Sequence, residues 1–537
     1  MADRTWTLAA NSLLLSGATC AVTIPLGILL AWLLARTDLP GRRAALVAFG
    51  ILVFVPLYLQ AAAWQAGFGL QGWHTLVSGG TVWLDGWRGA VWVHSMSALP
   101  WVVLIVGTGL RLVEPELEEQ ALLDASAWRV LWRVTLPGAG VAVGVAALWV
   151  LIVTAGEITV TDLFGVRTYA EELYTRFAVS TEPGDAPLAA APGVLLTAGL
   201  VLAGLLLCAR LAPRQRALSL RPGLVFRLRR WRWPLALLVA AILLVVVGVP
   251  LGNLCYKAGV AVSQTETGYA RSWSLPKCLT FIAQSPVRYR REFAWSLRVA
   301  ALAAMAAVAV GIGLACLAVR RQRSCRAARL TTGMILTRQA RNTVGRPFQA
   351  VQNGLERPSY MIHFVAGLVL ALTAVCLAVP GPLVGLGAIW LFNRPGWPML
   401  NYLYDQSILA PWLVLWVRGL PLATLVLWHA LRTVPEGILD SAALDGAGPL
   451  ARLWRIVLPN RVPALAVAWL VAFAVALADL AASILVVPPG MTTLPIRIFD
   501  LLHAGVEDQV AGVCLAQAIV FAMLAAVIAW LVRRWQN

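Results

Sequence analysis

An all-α membrane protein is predicted, on three observations. Of 537 residues, 60% are hydrophobic and only 13% charged, about half the charged fraction of a soluble globular chain. The apolar residues fall into repeated blocks of about 20, the length a helix needs to cross a hydrocarbon core. The basic residues gather between those blocks, as expected of loops retained on the cytoplasmic side during insertion. Together these exclude a soluble enzyme.

Taken in chain order, apolar blocks centred near residues 22, 55, 101, 149, 199, 243, 306, 371, 420, 474 and 522 predict about 11 transmembrane helices. Pro25, Pro56, Pro100, Pro380 and Pro421 lie inside or beside them, which membrane helices tolerate where neighbours satisfy the freed backbone groups. The 24 Trp suit interfacial belts as well as packing.

The net charge of +18 is carried by Arg, since Lys257 and Lys277 are the only lysines. Eight Arg and no acid lie between Arg210 and Arg232, and nine Arg against Glu356 alone between Arg320 and Arg357. Both segments are expected in the cytoplasm, and nucleic acid is not an expected partner. From Thr161 to Pro187 the balance reverses, with Asp162, Glu171, Glu172, Glu182 and Asp185 against Arg167 and Arg176, so this loop is expected outside. An odd number of crossings with Arg533 and Arg534 in the cytoplasm places the N-terminus outside.

The chain repeats itself. Asn11-Ser12-Leu13 is echoed by Trp295-Ser296-Leu297, and from that anchor Gly27 maps to Gly311, Ala31 to Ala315 and Arg36 to Arg320, all displaced by 284. Leu99-Pro100 maps to Leu420-Pro421 at 321, and the polar run Leu131-Trp132-Arg133-Val134-Thr135-Leu136-Pro137 recurs as Leu453-Trp454-Arg455-Ile456-Val457-Leu458-Pro459 at 322. A polar duplicated element is not a by-product of apolar composition. We expect two homologous halves in parallel repeat. Residues 1–212 form the first half, 213–290 a basic linker with one transmembrane helix and an outer loop, and 291–537 the second half.

Each half carries a segment too polar to span, 114–137 and 434–459, which predicts two short helices meeting at Ala125 or Gly446. A Gly at that point permits the positive φ that reverses the chain. Leu-Pro is then expected to start the next membrane helix, with Pro tolerated in its first turn.

These segments resemble the cytoplasmic loop of the permease subunits of bacterial ABC importers, which reads Glu-Ala-Ala, three residues, Gly, nine residues, Ile, one residue, Leu-Pro. The second copy follows that spacing, with Asp440-Ser441-Ala442, then Asp445 before Gly446, and Ile456-Val457-Leu458-Pro459. The first has Glu119-Gln120-Ala121, then Asp124 before Ala125 in place of Gly, and one residue fewer before Val134-Thr135-Leu136-Pro137. The resemblance covers nearly the whole chain and extends to the double-length, MetI-like permeases of ferric-iron-type importers, a group that includes thiamine and phosphonate transporters. Asn11-Ser12-Leu13, Glu157-Ile158-Thr159-Val160-Thr161-Asp162 and Val487-Pro488-Pro489-Gly490 leading to Leu494-Pro495 carry it. Members often have a further helix before the Asn-Ser-Leu segment, so either the first half is short or the start codon lies upstream.

The resemblance implies that Glu119, Ala121, Asp124, Ala125, Leu136 and Pro137 in one copy, and Asp440, Ala442, Asp445, Gly446, Leu458 and Pro459 in the other, dock into two copies of a separate ABC ATPase. It also implies an extracytoplasmic solute-binding protein, a multi-pass place in the lipid bilayer of the bacterial inner membrane, and ferric iron as the first-choice solute, with thiamine, phosphonate and polyamine as alternatives. ATP belongs to the partner. This chain has no Gly-rich loop ending in Gly-Lys-Ser or Gly-Lys-Thr, and neither cofactor nor catalytic residue is expected in it.

Glu157 and Asp479 stand 322 apart near the outer ends of the helices that follow the two loops. An acid in a spanning segment costs about 2.5–3.5 kcal/mol on insertion scales and should face a bundle interior or a watery path. Two readings stand side by side: a paired lining for a cation route, or carboxylates that accept hydrogen bonds at a helix turn. No metal site is expected. His74, His94, His363, His429 and His503 lack ligand spacing, and the eight Cys form no CxxC pair. Cys255 and Cys278 flank a predicted outer loop and are compatible with a disulfide that nothing in the spacing demands. A secondary transporter coupled to an ion gradient also uses internal repeats and buried acids, but gives no reason for paired loops. A membrane-embedded enzyme or scaffold would need convergent reactive groups, and none is visible.

Overall fold

The computed structural model describes residues 2–80, 82–179, 186–211, 224–265, 268–340, 373, 375–394, 396–505 and 507–536. The apolar block near 371, the end of the Arg-rich stretch before it and the middle of the acidic loop fall largely outside these residues. What is described is mainly helical, with one hairpin in which Val260–Thr265 pairs antiparallel with Gly268–Trp273.

Among the described residues six helices are long and apolar enough to span: Trp6–Arg36, Gly86–Arg111, Arg229–Gly259, Arg290–Val319, Leu409–Arg432 and Asp508–Arg534. Three further spans are helix pairs broken by sharp bends, of 103° within 42–78, 61° within 127–155 and 78° within 449–478, giving up to nine. The expected count of eleven is therefore not reproduced. The blocks near 55, 149 and 474 are these bent pairs, and Gly381–Phe392, 12 residues long, is too short to cross.

The chain divides into two compact units. The first comprises 1–298, 378–414 and 477–526, and the second 299–377, 415–476 and 527–537.

In the first unit, Ala2–Arg36 packs along Gly86–Arg111 and Gly140–Ala155. Without water between helices, such packing rests on close backbone approach. Gly27 supplies it, because a Cβ there would lie 2.3 Å from the Val102 Cγ1. Leu15, Leu30, Leu33, Leu34, Phe49 and Leu99 fill one core, while Ala31, Val102, Val106, Ala146 and Val150 fill the next. The buried hydroxyls of Ser12, Ser16 and Thr23 donate to the carbonyls four residues before them, so a polar stripe is satisfied inside the first helix. Cys255 and Cys278 are free thiols in one apolar cluster.

In the second unit, Ala315, Val319, Leu427, Leu431, Val434, Val457 and Ala468 form the core. The helix Leu409–Arg432 approaches its neighbour at Gly419, whose missing side chain leaves room for Ala472.

Candidate functional site

The segment 114–137 folds as two short helices, as its composition predicts. Pro115 occupies the first turn of Pro115–Asp124, where a missing N–H is harmless, and Glu116 and Glu118 sit where the helix dipole favours acids. The chain then turns through Ala125 and Ser126, both extended, and re-enters a helix at Ala127. The segment 434–459 gives Glu436–Leu444, then Asp445 to Gly448, then a helix from Pro449. Here Gly446 takes φ +79°, the left-handed conformation that glycine adopts freely. The first turn lacks it because its linker is shorter and needs no left-handed residue, so Ala125 serves.

Both second helices widen into a π-helical turn, Leu131–Thr135 and Leu453–Val457. The cause is Pro137 and Pro459 just beyond. A proline has no N–H to give and its ring crowds the carbonyl four residues back, here Arg133 or Arg455, and a π turn relieves both. The expectation that Leu-Pro begins the next membrane helix is therefore corrected. Each proline ends the short helical segment, and the spanning helices start after breaks at Ala139 and Arg461.

Of the residues singled out from the sequence, Glu119, Asp124, Pro137, Asp440, Asp445, Gly446 and Pro459 are exposed, Ala121, Ala125 and Leu136 half-buried, and Ala442 and Leu458 buried. The exposed tips are apolar. Leu123 is 86% exposed and Leu444 89%, with Trp128 and Trp132 beside the first and Leu450 and Trp454 beside the second. Large apolar side chains left exposed at the turn of a polar loop fit a contact surface for a protein or a membrane.

Sequence reasoning passed over Glu118. It is fully buried, accepts a bond from the Thr135 hydroxyl at 2.7 Å and pairs with the Arg36 guanidinium. The available signal was Arg36, a charge ending a long apolar helix.

Glu157 and Asp479 lie in the first unit and share one local geometry. The Glu157 carboxylate accepts the backbone N–H groups of Thr159 and Val160 at 2.7 and 2.8 Å. The Asp479 carboxylate accepts that of Ala482 at 3.0 Å. The hydroxyls of Thr161 and Ser483 donate to their backbone carbonyls. His94 Nε2 stands 4.0 Å from Glu157. Both acids thus cap turns.

The first unit also holds a cavity of about 320 Å³ lined by Gln65, Gln71, Asp162, Leu254, His503 and Val510, among others. His503 Nε2 lies 2.9 Å from the Asp162 carboxylate and its Nδ1 2.9 Å from the Phe499 carbonyl. An imidazole that meets an acceptor at each nitrogen must carry both protons to satisfy them. Its pKa is raised, chiefly by the bond to Asp162. Among the described residues no group of three His, Cys, Asp or Glu side chains is placed to hold a metal ion.

Residues 23–217 match the family of binding-protein-dependent transport system inner membrane components. The matched segment includes the first loop and ends well before the second. Among curated relatives, the putrescine transport system permease protein PotI of Escherichia coli (strain K12) is 32% identical over 138 residues, 25% of this chain and 47% of that protein. The spermidine/putrescine permease PotC of Haemophilus influenzae is 30% identical over 118 residues, 22% of this chain and 46% of the relative. The molybdenum permease ModB of E. coli (strain K12) is 27% identical over 234 residues, 40% of this chain and 98% of that protein. The chain thus spans about half the length of the polyamine permeases it matches. The expectation of ferric iron gains nothing from these relatives, whose names carry polyamines and molybdenum.

Proposed function

We propose that this chain is the membrane-spanning subunit of an ATP-driven importer, passing a small solute from an extracytoplasmic binding protein to the cytoplasm by alternating access. The observation that carries the reading is the pair of helix–turn–helix loops, 114–137 and 434–459, each projecting exposed leucine and tryptophan side chains from a polar segment between apolar helices. Two such tips suit two copies of an ATPase. ATP is bound and split on those partners, and closure of their dimer pushes the loops and rocks two homologous halves. The chain then lies in the bacterial inner membrane with its N-terminus outside and its C-terminus in the cytoplasm.

For the solute we favour a polyamine-class cation. Asp162 lines the cavity and offers a carboxylate to an amine, and relatives named for putrescine and spermidine point the same way. A second reading, an oxyanion, has the support of the molybdenum permease, nearly all of which aligns with this chain.

The test is co-purification of the chain with the P-loop protein encoded beside it, with Leu123→Asp and Leu444→Asp as variants. The reading expects a complex of one chain with two ATPases, weakened by each variant and lost in the double variant. A complex indifferent to both substitutions would overturn the docking role.

A further inference from the structure

We propose that the two loops are fastened to their membrane helices by different chemistry, and that a buried Arg36–Glu118–Thr135 cluster makes the first loop move as one body with the N-terminal helix. The proposal deepens the ATPase-docking reading and, for transmission of the ATPase stroke, rests on it.

Glu118 lies on the loop helix Pro115–Asp124, and both of its carboxylate oxygens are used. One takes the Arg36 guanidinium, at the last residue of Ala2–Arg36, and the other takes the Thr135 hydroxyl, in the π turn leading to the next span. Arg36 is 1% exposed and Glu118 0%. One side chain therefore ties the loop helix to the elements before and after it. Charges held out of water are tolerated only while paired, and their hydrogen bonds are directional and short-ranged. A displacement of the loop relative to Ala2–Arg36 would strand two ions, so the pair resists shear far more than an apolar contact does.

At the positions that match Glu118 and Thr135 the second loop carries apolar side chains. Leu439 stands 321 residues after Glu118 and Val457 322 after Thr135, and both pack in the apolar cluster of Val319, Leu427, Leu431 and Val434. Arg320, 284 residues after Arg36, has a side chain outside those described, but neither Leu439 nor Val457 offers an atom to pair with a charge. Arg461 donates to the Thr433 carbonyl at 2.9 Å at the exposed base of this loop, but the packing of Leu439 and Val457 is apolar and non-directional, so the loop helix can shift against its neighbours while staying buried. Arg36 and Glu118 are on this argument positioning residues, and the two loops transmit unequally, the first without slack.

The experiment uses the full chain, native cysteines replaced, in lipid nanodiscs, with spin labels at Leu123 and Ala10 for the first loop and at Leu444 and Val310 for the second. On the chain alone, a narrow distance distribution is expected for the first pair and a broader one for the second. Glu118→Leu with Thr135→Val, which copies the second loop into the first, should broaden the first pair to match. Arg36→Glu with Glu118→Arg should restore the narrow distribution, which a loss of folding would not do. In the complex with the ATPase, trapping with ATP and vanadate should leave the first distance unchanged and shift the second. A first distance that shifts with nucleotide in the wild type, or stays narrow in Glu118→Leu with Thr135→Val, would overturn the tether. A chain that shows the tether but binds no ATPase would overturn the docking reading and the transmission with it.

Discussion

The Ser12 hydroxyl accepts a hydrogen bond from the backbone N–H of Tyr169 at 3.0 Å. Ser296, 284 residues further on, does the same for Leu494 at 2.7 Å. Tyr169 and Leu494 each open a helix, where the first N–H groups have no partner within the helix itself. A serine on a distant helix thus does the work that a capping side chain does locally. Ser12→Ala and Ser296→Ala should each lower stability by about 1 kcal/mol, read as an earlier thermal transition in detergent, with Ser→Thr closer to wild type. Transitions unmoved by both alanines would show that these bonds carry no stability.

Glu157 and Asp479 hold helix turns through charge-assisted bonds to backbone N–H groups, two for Glu157 and one for Asp479 among those described above. Glu157→Ala and Asp479→Ala should therefore each destabilise by about 1–2 kcal/mol. Thermal melts measure both. If both variants kept wild-type stability and lost solute uptake, the lining role would replace the capping one.

Removal of Glu118 leaves Arg36 buried without its partner. Glu118→Ala should cost about 3–5 kcal/mol, the largest effect of any single change in the loops, whereas Glu119→Ala, at an exposed position, should stay within about 0.5 kcal/mol. Denaturant or thermal unfolding of the two variants side by side checks the contrast.

At Gly446 the positive φ meets open space, since nothing lies within 4 Å of a Cβ built there. The penalty of a side chain is then conformational alone. Gly446→Ala should cost about 1–2 kcal/mol, while Ala125→Gly in the other turn, already extended, should gain nothing. Thermal unfolding of the two variants measures both.

The bond to Asp162 raises the pKa of His503 above its usual 6.5, with Asp500 adding in the same direction and burial opposing. Because the folded value is the higher one, the pair's stabilisation is fully present below pH 6.5 and is lost as pH rises through the raised value. Hydrogen-exchange protection in the helix Leu494–His503, corrected for the intrinsic rise of exchange with pH, should therefore fall on that rise, and His503→Gln should remove the fall.

Parts of this were legible because the physics is local. The polar loops stood out between apolar blocks, and Ser12 and Ser296 were visible as a repeat because both copies make one bond. Gly446 could be read as a turn from its residue type. The number of spans was legible only in part, since bends of 61–103° in the blocks near 55, 149 and 474 leave composition unchanged and each block reads in sequence like a straight span. Pro137 and Pro459 misled because a proline near a helix start and one that forces a π turn look alike in sequence. Glu118 was hidden among Glu114, Glu116 and Glu119, four acids of which only helical phase decides which faces inward. The His503–Asp162 pair joins distant segments, and no spacing announces it.

The most direct test of the central claim is uptake into proteoliposomes that hold the chain, the neighbouring P-loop ATPase and the cognate binding protein, with labelled putrescine and, separately, labelled molybdate. The account predicts accumulation of one solute, putrescine first, that needs ATP hydrolysis and falls sharply in the Leu123→Asp, Leu444→Asp double variant. Accumulation driven by an ion gradient, with no ATPase present, would contradict it and make the chain a secondary transporter.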